Sequence, residues 1–443
     1  MTNKVSRATR PWKGLALLAV AVLIAACDLD LTDPNLPNES EIITNAAGLR
    51  NVGIGLQAEY GNELVDPVYV AGLVTDEIGA IAAAFEGYRQ VDAGLAVDND
   101  VGSSTETWAG QYDVVQVANV LLDNVPNVPT LQPGTASGLT ALAKLFKAMA
   151  FGNLLQVYER IPLDVGLHNP TATFATRQEG LNTVLQLLNE ARQQLITTPA
   201  STEFNTTVLA PGFNLPNTID AMIARYSLIN GDLTAALAAA QRVDLSVLSE
   251  FRFSTNDVNP LWNMWSNSGN SVRMRPEDRW RLGAEAGDRR VAYFVTASSS
   301  NVASNAASPL DDFVRYSVNT HPFPAYWPDE MRLIMAEVYA RQNNLPLALA
   351  QLNQVRTQCT SAIDEPIACL PALTLLQVPT QTAMLNAILK ERQYELYLTG
   401  LSWSDLRRFG RPMKYTFMSV SRVECVGNPN APAELCDRNE PGT

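Results

Sequence analysis

The chain has 443 residues, 47% hydrophobic, 17% charged and 7% aromatic, which allows one large domain or about three ordinary ones and a sizeable buried core. Two histidines and the lack of a Gly-rich phosphate loop leave little basis for a histidine-ligated metal, a His-based charge relay or nucleotide chemistry. A formal charge of −13 argues against nucleic acid as a partner and points to a neutral or cationic ligand.

Residues 1–26 read as an export signal. Lys4, Arg7, Arg10 and Lys13 precede an apolar run from Gly14 to Ala26, which is too short to span a bilayer. The run ends Leu23-Ile24-Ala25-Ala26-Cys27, which resembles a bacterial lipobox with Cys27 as the acylated residue. Several acyl chains on one residue give stable membrane anchoring. Cleavage removes four cations and no anion, taking the formal charge from −13 to −17, so the attachment owes nothing to basic residues. Residues 27–40, acidic and interrupted by Pro34 and Pro37, form an extended tether. Asp28, Asp30 and Asp33 there lack the glycine and closing glutamate of a calcium loop.

The body, 41–443, reads as helical. A helix at 105–124 carries Trp108 and Tyr112. One at 139–158 puts Leu142, Leu145, Phe146 and Met149 on one face, with Ala148, Ala150 and Gly152 as small residues for a close crossing, and its partner is 177–196. Residues 219–243 form a helical hairpin about Asn230-Gly231-Asp232, and 331–356 repeat the design about Asn343-Asn344-Leu345-Pro346; a further helix occupies 383–399. These hairpins resemble tetratricopeptide repeats, dispersed and not tandem. The intervening stretches 124–138, 199–218, 244–330 and 359–380 are rich in Pro, Gly, Asn, Ser and Thr and longer than mere connections. The 244–330 insertion holds Trp262, Trp265 and Trp280, with β-like runs at 291–296 and 313–318. The fold class is therefore mainly α, with a large irregular lobe and a few short strands.

Two local cysteine pairs, Cys359/Cys369 and Cys425/Cys436, read as disulfides, each worth about 3 kcal/mol in the chain-entropy model. A small-molecule site is built from aromatic faces beside a few polar groups. Two segments offer them: Asp76, Tyr88 and Arg89 in the long connection ahead of the Trp108 helix, and Trp262 and Trp265 with Arg273 and Arg275. Core packing is the competing reading for every aromatic and the favoured one for Trp108, Tyr112 and Trp403. Asp98-x-Asp100-x-Gly102 is a weak cation pattern, and no metal or cofactor is expected.

The segment Glu391-Arg392-Gln-Tyr-Glu395-Leu396-Tyr-Leu-Thr-Gly400-Leu-Ser-Trp403-Ser-Asp405-Leu406-Arg407-Arg408 resembles the C-terminal signature of SusD/RagB-type nutrient-binding outer-membrane lipoproteins. In that family a Glu-Arg…Glu-Leu helix runs into Gly-x-x-Trp-x-Asp-Leu-Arg-Arg. The lipobox, the Ala-Glu-x-Tyr-Ala helix at 336–340, Glu424 and Asn428-Pro429 agree with it. Leu401 and Ser402 depart from the usual polar or basic residues, and Ser419-Val420-Ser421 stands in place of Pro-Ile-Pro. The resemblance implies a tetratricopeptide-like scaffold with an irregular lobe, anchored at the outer membrane and facing the cell exterior. Such a protein sits on a TonB-dependent SusC-like transporter barrel and captures an oligosaccharide, or a peptide, without chemistry of its own.

Taken on their own, Glu391, Arg392, Glu395, Asp405, Arg407 and Arg408 read as structure: both signs lie within one helix–turn–helix and can pair across Gly400, with Trp403 as a packed anchor. A Glu391/Glu395 acid–base pair is disfavoured, because neighbouring arginines would depress both carboxyls. The alternatives are a helical-repeat scaffold lipoprotein, which calls for tandem repeats, and a hydrolase, which calls for two carboxylates about 5–9.5 Å apart in a cleft.

Overall fold

Helices set the architecture, as the periodicity requires. The computed structural model describes residues 43–95, 102–165, 171–265, 274–302, 309–419 and 428–436. The export signal, Cys27, the tether, Asp98, Asp100, Arg273, Glu424 and Cys425 lie outside the described residues.

Two helices precede the first one expected: α1 (Ala46–Asn62), capped by Asn45, and α2 (Val65–Val74), buried almost all round. The long connection ahead of the Trp108 helix contains a strand, β1 (Ile78–Ala80), and a helix, α3 (Glu86–Asp92). The periodic segments then follow as α4 (Gly102–Asn124), α5 (Pro133–Val157) and α6 (Arg177–Thr197), with a short antiparallel pair, β2 (Arg160–Pro162) and β3 (Phe174–Thr176), between α5 and α6. A capping box starts α6: the Thr176 N–H donates to Glu179 Oε2 at 2.8 Å, and the Thr176 hydroxyl accepts from the Glu179 N–H.

The hairpin α7 (Leu215–Asn230) and α8 (Leu233–Ala240) turns at Gly231, whose φ of 85° needs a residue without a Cβ, while Asp232 caps α8. Farther along, α12 (Pro328–Arg341) and α13 (Leu345–Thr357) form the second such hairpin, with Asn343 left-handed and Asn344 capping; α14 (Gln381–Glu395) packs on both. Neighbouring helices pack in the sequence α4–α5–α6–α7–α8–α12. Small residues sit at the crossings, so Ala336, Ala340 and Ala348 are fully buried in a satellite core with Leu352, Met384 and Ile388.

The lobe between α8 and α12 is more regular than its composition suggests. It contains β4 (Ser249–Phe251), α9 (Pro260–Trp265), β5 (Met274–Pro276), α10 (Asp278–Leu282), α11 (Arg289–Phe294), β6 (Val295–Val302), β7 (Pro309–Phe313) and β8 (Phe323–Tyr326). Its strands pair antiparallel as β4–β8 and β6–β7, and β5 reaches back to β1 with Ile78 opposite Pro276. Two expected strand boundaries move. Val291 lies in α11, because the Asp288 carboxylate caps that helix and holds the Arg290 guanidinium; β7 ends at Phe313, followed by a 3₁₀ turn at Arg315–Ser317. Cys359 and Cys369 are disulfide-bonded as expected, and Cys436 is also disulfide-bonded. Among the described residues no helix is long and apolar enough to cross a membrane.

Candidate functional site

The signature segment folds as α14, a turn through left-handed Leu398 and Gly400, and α15 (Ser402–Arg408). Its charges pair across the turn: Arg392 makes a two-pronged contact with Asp405 at 2.7 and 2.9 Å, and Arg408 donates to the same carboxylate at 2.6 Å and to Glu337. Burial works to raise the Asp405 carboxyl, yet Arg392 and Arg408 hold it below its ordinary range. Trp403 is fully buried, donates its indole N–H to the Tyr415 carbonyl at 2.8 Å and lies under the Arg407 guanidinium. On the opposite face of α14, Glu391 and Glu395 are enclosed with Arg290 at 2.8 and 3.2 Å, and Arg356 also binds Glu391. The expected depression of these carboxyls fails for Glu395, where burial outweighs Arg290 and pushes the group up.

A cleft of about 510 Å³ opens where α14 and α15 meet the loop after α2 and the end of α10. Glu77 forms part of its floor. Its Oε2 accepts from the Ser402 hydroxyl at 3.0 Å, and its carbonyl accepts from Tyr397 OH and from the Glu277 N–H. Burial raises the Glu77 carboxyl to about 8, so it carries its proton at neutral pH. Asp76 stands on the rim with a left-handed φ of 62°, costly for a residue with a Cβ; its carboxylate meets Arg279 at 2.9 Å and Lys414 at 2.6 Å. Lys414 continues to Asp92 at 3.1 Å, and Asp92 accepts from the Ala80 N–H, which ties the cleft to β1. Trp280 and Tyr394 form an apolar wall: Trp280 donates to the Gln393 carbonyl at 3.1 Å, and Tyr394 OH donates to the Trp280 carbonyl at 3.1 Å.

The residues singled out from sequence fall in different settings. Asp76 is on the cleft rim. Arg89 is half-buried on α3, paired with Glu86. Trp262 is half-buried on α9, which packs against β5, and β5 pairs with β1, so the ladder joins the two sequence-distant segments. Tyr88 and Trp265 offer no open face. Tyr88 lies edge-on to Tyr69 and donates to Glu106 Oε2 at 3.0 Å, while Trp265 stacks on Phe313 at 4.8 Å; the partners that bury them are remote in sequence or polar, which period alone does not reveal. Arg275 pairs with Asp312 at 3.2 Å. Trp108 is buried, and Tyr112 packs on the core and donates to the Pro162 carbonyl, as the core reading requires. Sequence reasoning missed Arg279, Lys390 and Phe85. The last is 57% exposed beside α3, and its signal was an aromatic in a small-residue loop, Ala82-Ala83-Ala84-Phe85.

Residues 261–435 match the family model of the SusD family. The fold is similar to that of a SusD superfamily protein from Bacteroides fragilis, at 16% identity and a TM-score of 0.67 over 88% of this chain and 99% of that one. A SusD-like carbohydrate-binding protein from Bacteroides vulgatus matches at 16% identity and a TM-score of 0.63, over 82% of this chain and 83% of that one. A SusD superfamily protein from Bacteroides thetaiotaomicron does so at 13% identity and 0.63, over 90% and 99%. No curated protein matches the chain.

Proposed function

We propose, for a chain with the SusD superfamily fold and a SusD-family segment at 261–435, that it captures an oligosaccharide and passes it to a TonB-dependent SusC-like transporter barrel. The observation that carries this reading is the cleft itself. It has polar groups on the rim, an apolar wall of Trp280 and Tyr394, and a floor fixed by the signature segment, the composition of a small-molecule site. The named binding activity of the Bacteroides vulgatus neighbour supports the choice of a carbohydrate. Asp76 contacts the ligand at the cleft rim, and Arg89, Trp262 and Phe85, which do not line the cleft, extend the binding surface along the β1–β5 ladder; Tyr88 and Trp265 hold that surface in place from beneath.

The protein acts without chemistry of its own. Glu391 and Glu395, the carboxylate pair of the competing hydrolase reading, are buried against arginines. Cys27 carries the lipid that holds the mature chain at the outer membrane, facing the cell exterior. Two results test this reading together. A glycan and peptide array probed with residues 28–443 should light up on oligosaccharides, and a Cys27→Ser variant should leave the membrane fraction. Binding confined to peptides would move the cargo to that class; an exported Cys27→Ser chain that stays membrane-bound would remove the lipid anchor.

A further inference from the structure

A tight turn is usually tipped by Gly, Pro, Asn, Asp or Ser. The turn from Thr374 to Gln377, between α13 and α14, carries Leu375 and Leu376 instead, 42% and 92% exposed. The fold braces them there. The Thr374 N–H and hydroxyl both donate to Gln377 Oε1 at 2.9 Å, and the Gln377 N–H donates to the Thr374 carbonyl at 3.0 Å. On one side Asn353 of α13 accepts the Leu373 N–H at 2.8 Å and donates to the Leu373 carbonyl at 3.0 Å; on the other, Val378 is sunk into the satellite core. Two leucines are thus held out in water by a turn pinned at both ends, an apolar exposure that a folded chain does not gain from.

Their surroundings carry almost none of the chain's formal charge of −13. From Gln342 to Leu389 the charged residues are Arg356, Asp364 and Glu365. Arg356 and Glu365 are buried, and the Asp364 carboxylate is taken by Arg315 and Tyr293. Leu347 on α13, 46% exposed, adds to the apolar surface. Protein interfaces are anchored chiefly by Trp, Tyr and Arg, with Leu under-represented. This stretch contains no aromatic residue, and its one arginine is buried, so its surface suits a lipid layer better than a protein pocket. Headgroup phosphates repel exposed acids, and this face presents them with little to repel.

Building on the Cys27 anchor, we infer that this face rests on the bilayer and that Leu375 and Leu376 enter its headgroup–acyl boundary. The 14 residues of the tether, 27–40, reach at most about 50 Å, so the body can turn more than one face to the membrane and its surface chemistry selects this one. The contact is apolar and therefore insensitive to salt.

The test does not depend on acylation. Residues 28–443 with an N-terminal hexahistidine are held on phosphatidylcholine vesicles by a nickel-chelating lipid, and amide hydrogen exchange is compared with that of the same chain free in solution. Exchange across 371–380 should slow about threefold or more on the vesicles, in about 0.1 M and about 0.5 M salt alike, while the exposed face of α6 keeps its rate. A Leu375→Ser/Leu376→Ser double variant with the parent's melting temperature should lose the slowing, and Leu376→Ser alone should lose at least half of it. Unchanged exchange at 371–380, slowing that survives both variants, or slowing abolished by the higher salt overturns the inference and leaves the Cys27 anchor to its own membrane-fraction test. Slowing that grows with protein concentration in the vesicle-free sample assigns the face to a second copy of the chain and overturns the lipid assignment.

Discussion

Removing the Trp403 side chain should cost stability without touching the ligand. The indole is fully buried, its N–H satisfies the Tyr415 carbonyl, and the Arg407 guanidinium lies 5.2 Å from the ring centroid. Truncating a buried Trp to Ala costs about 3–5 kcal/mol through lost burial and the cavity left behind. Orphaning the Tyr415 carbonyl places the loss in the upper part of that range. Trp403→Phe keeps most of the ring and loses the hydrogen bond, so about 1–2 kcal/mol is expected. Guanidinium unfolding midpoints of parent, Trp403→Phe and Trp403→Ala, read by far-ultraviolet circular dichroism, measure both steps. A Trp403→Ala chain within about 1 kcal/mol of the parent would refute the anchor role, since a buried indole cannot be deleted at that cost without an alternative packing.

Gly152→Ala on α5 would drive a methyl into the Tyr226 phenol ring of α7; because Tyr226 is itself buried, a loss of about 1–3 kcal/mol in the same unfolding assay is expected. Replacing Cys359 and Cys369 by Ser should lower stability by about 3 kcal/mol, while thiol titration of the unfolded parent should find neither cysteine free. Glu77 has an ordinary carboxyl value of 4.5 that burial raises to about 8, so the native state holds a proton that the unfolded chain has released across that interval. Its contribution is therefore full below pH 4.5 and lost as pH rises through about 8, and Glu77→Gln should flatten the fall in stability with pH over that window.

The helical hairpins were legible because their signals are local. The Asn230-Gly231-Asp232 turn supplies a left-handed glycine and a capping aspartate, and each is used as such. The first two helices were not, because their stability is tertiary. α1 contains Gly53, Gly55 and Gly61, poor helix formers, yet the missing Cβ of Gly53 is what admits Leu139 of α5: a Cβ there would stand 2.6 Å from its methyl. α2 is apolar on all faces, so it has no period to read. The cleft was legible only in part. Asp76 and the signature helix were both noticed, but nothing local says that residues 75–77, 279–283 and 386–406 converge. Trp265 illustrates the same limit: the ring that covers it, Phe313, is brought to it by the fold alone.

The central claim is that this chain binds an oligosaccharide and leaves it intact. The direct measurement is a calorimetric titration of the mature chain with an array-selected oligosaccharide, followed by mass spectrometry of the sugar after prolonged incubation. Saturable binding with the oligosaccharide recovered at its original mass is expected, with affinity reduced in Asp76→Ala. Shortened oligosaccharide in the recovered sample, or no saturable binding by a chain that circular dichroism shows to be folded, would contradict the account.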